Sequence, residues 1–248
     1  MKNDKIIIVG GGSAGWMAAA TLVKAFPQKD ITLIESPSIK TVSVGESTLG
    51  HINYWLDFLD IRDEDFMPFT KASYKLSIRF EDFYKKGDGG FHYPFGKVLE
   101  NNFIGTKETW FYKKKFFPQT SVSDYANSLS INMVLVNNNV LFKNENKEIP
   151  LFDFKHHVAY HFDALKFAEW LKEYYCKPKG VKHIIEEIKT IQTNEEGVKT
   201  LNNKYSADLF IDCTGFKSLL LGKTLKEPFH DYSNLLPNNK AWATSIPY

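Results

Sequence analysis

The run Gly10-Gly11-Gly12-Ser13-Ala14-Gly15 is the part of the chain whose residue types and spacing point most directly to chemistry. It matches G-x-G-x-x-G, with a β-branched run before it and an alanine-rich one after it. Gly10 permits a tight turn, Gly12 lets backbone approach a pyrophosphate, and Gly15 lets a helix pack on a strand. Ser13 and Ala14 open that helix, whose free amides and partial positive charge suit phosphate oxygens. Glu35 follows Gly15 by 20 residues, at the end of the next apolar run. A carboxylate there accepts hydrogen bonds from a ribose and disfavours a 2′-phosphate. The combination points to a dinucleotide.

The elements that must position these residues are legible around them. Lys5-Ile6-Ile7-Ile8-Val9 reads as a strand buried on both faces, Ala14 to Phe26 as a helix closed by Pro27, and Ile31 to Glu35 as a second buried strand, giving a βαβ unit. Val42 to Thr48 is a loop of small polar residues and a candidate site element, leading into a helical segment from Leu49 to Leu59. Tyr74 to Glu81 alternates strictly and predicts one half-buried strand, with Leu76, Ile78 and Phe80 on its apolar face and Lys75, Ser77, Arg79 and Glu81 on its polar one. Residues 85–151 are irregular and aromatic-rich. A helical spacing returns over Asp163 to Tyr175, Gly180-Val181 restarts a strand, Ile188 to Leu201 reads as a hairpin, and Ala207 to Gly215 reads as a buried strand ending at a glycine turn. That second glycine-ended strand favours FAD over NAD, because a flavin protein closes on its cofactor with a late segment.

Composition narrows the class. The chain has 248 residues, 43% hydrophobic and 24% charged, which describes a water-soluble globular protein. Lys+Arg 31 against Asp+Glu 29 leaves a formal charge of +2, too balanced for a phosphate-backbone binder, so nucleic acid is not expected. Cys176 and Cys213 form no CxxC pair, which points to a reducing, cytoplasmic setting. The uncharged stretch Ile6 to Val23 imitates a signal peptide or membrane span, but its glycine cluster argues against both. His92, His156, His157 and His161 lie in different predicted elements without matched cysteine or carboxylate spacing, so no metal site is expected. Trp110, Phe111, Tyr112, Phe116 and Phe117 read as core. Oligomeric state stays open.

Several blocks occur in an order that is itself informative: Gly10 to Trp16, Gly45-Glu46-Ser47-Thr48, Ser73-Tyr74-Lys75, Phe91 to Gly96, Tyr160 to Ala164, and Asp212-Cys213-Thr214-Gly215-Phe216. Together they resemble the flavin-dependent halogenases of the tryptophan halogenase family. The resemblance implies an α/β, Rossmann-like FAD-binding fold of the flavin monooxygenase type with a β-rich, loop-rich insertion. It divides the chain into an FAD-binding core with the lysine strand (1–84), the insertion (85–160) and a return to the core (161–248). It also implies that FAD arrives reduced by a separate flavin reductase, and that oxygen and a halide ion then yield hypohalous acid. That acid travels a short tunnel to a lysine beside an electron-rich aromatic substrate, indole-like or phenolic. By position the catalytic lysine is Lys75, either as an ammonium that polarises the hypohalous acid or as an amine that forms a haloamine. The expected cofactor contacts are Gly10, Gly12, Ser13, Ala14, Gly15, Glu35, Gly45, Glu46, Ser47, Thr48, Thr214 and Gly215, with Glu46 holding its loop against the flavin.

The family's tryptophan-x-tryptophan-x-isoleucine-proline motif has only an echo here, Trp242 to Pro247. Its catalytic glutamate and C-terminal substrate region would lie beyond Tyr248, so a truncated chain is the expectation. The alternatives are an FAD-dependent monooxygenase without halide chemistry, or a catalytically incomplete FAD-binding fragment.

Overall fold

Strands that are apolar on both faces need cover on both, and that demand organises the first half of the molecule. A computed structural model describes residues 4–39, 47–99, 107–141 and 149–240. Its strands are β1 (Lys5–Val9), β2 (Asp30–Glu35), β3 (Ser73–Lys75), β4 (Ser77–Glu81), β5 (Gly90–Pro94), β6 (Ala159–His161), β7 (Lys182–Ile185), β8 (Ile191–Asn194), β9 (Gly197–Leu201) and β10 (Leu209–Asp212). Its α-helices are α1 (Ser13–Ala25), α2 (Ile52–Phe58), α3 (Asp63–Thr70), α4 (Lys107–Phe116), α5 (Ser123–Leu129), α6 (Ile131–Asn137), α7 (Phe154–His157) and α8 (Ala164–Trp170). The described residues divide into two compact units, the first drawn from Met1–Glu46, Asp63–Lys71 and Phe162–Tyr248, the second from Ser47–Arg62 and Ala72–His161.

The first unit is built on an all-parallel sheet of order β10-β1-β2-β7. On one face Ile7, Val9 and Ile34 join Leu201 and Leu220, with Ile184, Ile188 and Val198 packed against them. Alternation turns Ile6, Ile8 and Leu33 to the other face, where Leu33 meets the Gly15 turn of α1. Phe66 of α3 packs edge-on against Phe162, Phe167 and Trp170, an aromatic cluster that ties α3 to α8. The helix expected over Asp163 to Tyr175 is present as α8, and from Leu171 to Cys176 it widens into a π-helix. Asp163 caps α8, its side chain accepting from the Lys166 amide. The strand predicted over Ala207 to Gly215 is the shorter β10, and its residues are exposed or half-buried rather than buried. The physical reason is its place at the end of the sheet order, where β1 is its single neighbour among the described residues.

The second unit carries short paired strands, β3 with β6 and β4 with β5, both antiparallel. The single strand expected over Tyr74 to Glu81 is broken at Leu76, because β3 and β4 pair with different partners. The Leu76 carbonyl leaves the ladder to accept from the Phe95 amide at 2.9 Å and from Asn132 Nδ2, also at 2.9 Å. Asn132 is fully buried and donates as well to the His157 carbonyl at 2.7 Å, so one amide clamps two distant backbone segments. The insertion, expected to be β-rich, is mainly helical: it holds β5 and the start of β6 but four helices, α4 to α7, which composition did not place because their apolar residues show no single helical stripe. Of the five aromatics read as core, Trp110 is buried and bonded to Asp124, whereas Phe111, Tyr112, Phe116 and Phe117 are exposed. Helix α4 carries Phe111, Tyr112 and Phe116 together with Lys113, Lys114 and Lys115 around its circumference, with Phe117 just past its end, so its apolar residues do not follow one helical stripe. Among the described residues no helix is long and apolar enough to cross a membrane.

Candidate functional site

In the first unit the turn after β1 makes the glycine requirement physical. Gly10 has φ +115°, and a Cβ there would stand 2.2 Å from the Cys213 carbonyl oxygen. A Cβ on Gly15 would stand 1.9 Å from the Gly10 carbonyl oxygen, so α1 reaches the turn only without one. Gly12 caps α1 in an extended conformation with no side-chain hydrogen bond, and no acidic residue occupies the first turn. The helix start is therefore left for an anion.

Gly10, Gly12, Ser13, Ala14, Glu35, Thr214 and Gly215 all line one cavity of about 550 Å³, as the sequence places them. Gly15 lies beneath it as a packing residue. Glu35 is steered by a partner that spacing did not reveal: His183 Nε2 donates to its Oε1 at 2.8 Å, and Trp16 packs edge-on against that imidazole. Glu186, Glu187 and Ile188 also border the cavity. They follow β7 at the carboxyl end of the parallel sheet, the edge where ligands of such sheets bind, and that rule was the available signal for them.

Asp212 is the organiser of the closing segment. Its Oδ1 accepts from the Thr214 hydroxyl at 2.6 Å and the Thr214 amide at 3.1 Å, and its Oδ2 from the Leu220 and Leu221 amides at 2.7 and 2.9 Å. Burial alone would raise its pKa, but these hydrogen bonds to the carboxylate outweigh burial and hold it below the ordinary value. Cys213, beside it, is pushed up by burial and by the Asp212 charge, and stays a thiol.

This cradle fits a dinucleotide such as FAD on its own observations: a glycine turn that admits no Cβ, an uncapped helix start, and a carboxylate fixed at the end of β2.

The second unit holds Lys75. Ser73 and Lys75 of β3 pair with His161 and Ala159 of β6, and Ser47 bridges His161 from the other side. Residues directly opposite one another share a face, so Ser47, Ser73, Lys75, Ala159 and His161 form one surface while Tyr74 and Tyr160 turn to the other. The Lys75 side chain crosses β6 at Ala159, and Nζ donates to Ser47 Oγ at 2.5 Å and to the Thr48 carbonyl at 3.1 Å, with the Phe95 ring 5.4 Å away. Lys75 is half-buried rather than solvated, and burial lowers its pKa. His161 is lowered as well, by burial first and then by the Lys75 charge.

The acceptors are themselves fixed. Thr48 N donates to the Tyr160 carbonyl at 2.9 Å, Tyr160 N donates to Thr48 Oγ1 at 2.9 Å, and Tyr160 OH donates to the buried Asn53 at 2.9 Å. Ser47 and Thr48, expected at the cofactor, are thus found bonded around Lys75. Asn53 and Ala159 had no sequence signal, because a lone polar residue and a lone alanine show their use only through pairing. Gly45 and Glu46 lie outside the described residues, as does Trp242 to Pro247. His92 pairs with Ser77, and His156 and His157 with Asp153.

Comparison with known proteins adds an independent line. The family model for tryptophan halogenase matches residues 5–248. The chain is 35% identical over 267 residues to a tryptophan 6-halogenase, SttH, from Streptomyces toxytricini, covering 98% of this chain and 50% of that protein. Among solved structures, apo VirX1 matches with a TM-score of 0.84 at 43% identity, over 94% of this chain and 46% of the other. BrvH, a flavin-dependent halogenase from Brevundimonas sp. BAL3, matches with a TM-score of 0.77 at 32% identity, over 94% and 47%. The chain therefore spans about half the length of the relatives it matches.

Proposed function

The chain belongs to the tryptophan halogenase family, and we propose that it acts in flavin-dependent halogenation of an electron-rich aromatic ring, indole-like or phenolic. The first unit holds FAD through Gly10, Gly12, Ser13, Ala14, Glu35, Thr214 and Gly215, with Gly15 allowing the turn to close; Gly45 and Glu46 are assigned to the same cofactor by family pattern. Reduced FAD, delivered by a separate flavin reductase, supplies with oxygen the oxidising power that turns a halide ion into hypohalous acid.

From there, the contribution of the described residues is Lys75. Its ammonium hydrogen-bonds the oxygen of the hypohalous acid and draws electron density from the halogen. The aromatic carbon attacks the halogen, the carbon–halogen bond forms, and the oxygen–halogen pair stays on oxygen. That oxygen takes a proton from Nζ and leaves as water. The ring then loses its proton to the Lys75 amine, which restores the ammonium, so the sum is ArH + HOX giving ArX + H₂O. Two free thiols, Cys176 and Cys213, suit a reducing cytoplasmic setting.

The observation that carries this reading is the half-buried Lys75 with two fixed hydrogen-bond acceptors at Nζ. The test supplies FAD with an added flavin reductase, oxygen, bromide and a panel of indoles and phenols, read by product mass and by the flavin-binding spectrum. Brominated product that Lys75→Ala abolishes, with FAD binding intact, is the expected result. Hydroxylated product instead would replace halogenation with monooxygenation, and full bromination by Lys75→Ala would remove the lysine from the mechanism.

A further inference from the structure

We infer that Ser47 is a positioning residue for Lys75: its hydroxyl, with the Thr48 carbonyl, holds Nζ as an ammonium with one N–H left to aim, and so selects hydrogen bonding to hypohalous acid over haloamine formation. The inference deepens the proposed function and rests on its reading of Lys75 as the group that meets hypohalous acid.

The geometry begins with the strand pairing. Lys75 lies opposite Ala159, and Ser47 bridges β6 from its far edge at His161. The lysine therefore reaches diagonally over β6, across a residue small enough to pass, to a hydroxyl on the neighbouring segment. A flexible four-carbon stem carries much rotamer entropy, and an end held at two points loses that entropy before any substrate arrives. An ammonium has three N–H groups. Ser47 Oγ takes one at 2.5 Å and the Thr48 carbonyl takes a second at 3.1 Å.

The chemistry of those partners favours the charged form. A carbonyl oxygen can only accept, and it binds the N–H of an ammonium more strongly than that of a neutral amine. The Ser47 hydroxyl accepts in the same geometry, and the Phe95 ring face 5.4 Å away favours a cation. Burial opposes the charge. On this face the titratable groups among the described residues are Lys75 and His161, and His161 kept neutral adds no opposing charge at neutral pH. These three partners stabilise the ammonium against the burial that opposes it. A neutral amine carries a free lone pair, which would attack the halogen of HOX and form N–X with release of water. The two acceptors suppress that side reaction by keeping the lone pair protonated.

Ser47 was expected at the cofactor, and its hydrogen bond reassigns it. Nothing in the loop composition distinguished the two roles, because a serine after Gly45-Glu46 suits either.

The test compares Ser47→Ala and Ser47→Thr with the parent chain. Lysine Cε is labelled with ¹³C and followed by NMR through a pH titration, with Lys75→Arg assigning the signal. Ser47→Ala is expected to move the Lys75 titration to lower pH. Under added hypobromite it is expected to raise the yield of N-bromo Lys75, detected by peptide mass. It should cut bromination by roughly 10- to 100-fold, as misplacement of a reacting group by an ångström does, and shift the alkaline limb of the rate profile to lower pH. Ser47→Thr keeps a hydroxyl and is expected to restore the titration and most of the rate. An unchanged Lys75 titration and unchanged N-bromination in Ser47→Ala would overturn the inference, whatever the rate does. A rate loss accompanied by weaker FAD binding and no titration shift would also overturn it, because it marks a merely structural serine. If Lys75→Ala retains full bromination, the proposed function fails instead, and the NMR titration still judges Ser47 separately.

Discussion

Gly10 concentrates two constraints in one residue: a left-handed backbone and a carbonyl oxygen standing where a Cβ would be. Gly10→Ala is expected to cost about 1–3 kcal/mol through strain at that φ alone. It should also weaken FAD binding at least tenfold, read by flavin fluorescence titration; an alanine variant that binds like the parent would show that the turn can rearrange. This residue was legible because its requirement lies in the backbone and its spacing to Gly12, Gly15 and Glu35 is local. The His183 partner of Glu35 was not, since 148 residues separate them and only the parallel pairing of β2 with β7 brings them together. Ser47 fell between these cases. Its block was recognisable, but its bonding partner depended on which strand it bridged.

At the scale of elements, strands and turns were readable where their own alternation or glycines set them, and unreadable where a distant side chain intervened. The run Tyr74 to Glu81 alternates without a flaw, yet it breaks at Leu76 because Asn132 and Phe95 claim that carbonyl. Asn132→Ala would leave the buried His157 carbonyl without the amide it bonds. The expected loss is about 2 kcal/mol of stability, measured by urea unfolding, and Asn132→Asp should not recover it because an ionised carboxylate donates nothing. The hairpin β8–β9 carries a different dependence. Glu186 is held down to about 2 by hydrogen bonds from Tyr205 at 2.5 Å, from Asn202 at 2.8 Å and from Lys204. A carboxylate depressed in the folded state contributes stability that is complete above its ordinary value of 4.5 and is lost as pH falls from there toward 2. Tyr205→Phe removes the largest contributor, so the Glu186 titration followed by ¹³C NMR should move up toward the ordinary value. An unmoved titration would show that Asn202 and Lys204 suffice.

Over the whole molecule, the cofactor cradle and the lysine belong to different units, and the sequence interleaves them: the chain leaves the first unit at Ser47, rejoins it over Asp63–Lys71, builds the rest of the second over Ala72–His161, and returns at Phe162. That interleaving explains why the fold class was legible from β1, α1 and β2, whereas the helices of the insertion were not, their apolar residues being scattered around exposed faces such as that of α4. It also separates the consequences of mutation. FAD at one hundred times its dissociation constant should stabilise the protein by about 2.7 kcal/mol, since a ligand that binds only the folded state shifts unfolding by mass action. Gly15→Val, which forces a Cβ to within 1.9 Å of the Gly10 carbonyl oxygen, should abolish that shift. Lys75→Ala should preserve it in full while removing halogen transfer. Thermal unfolding of both variants with and without FAD decides the matter: loss of the FAD shift in Lys75→Ala would mean that the lysine contributes to the cofactor site itself, and the division of labour between cradle and lysine would have to be abandoned.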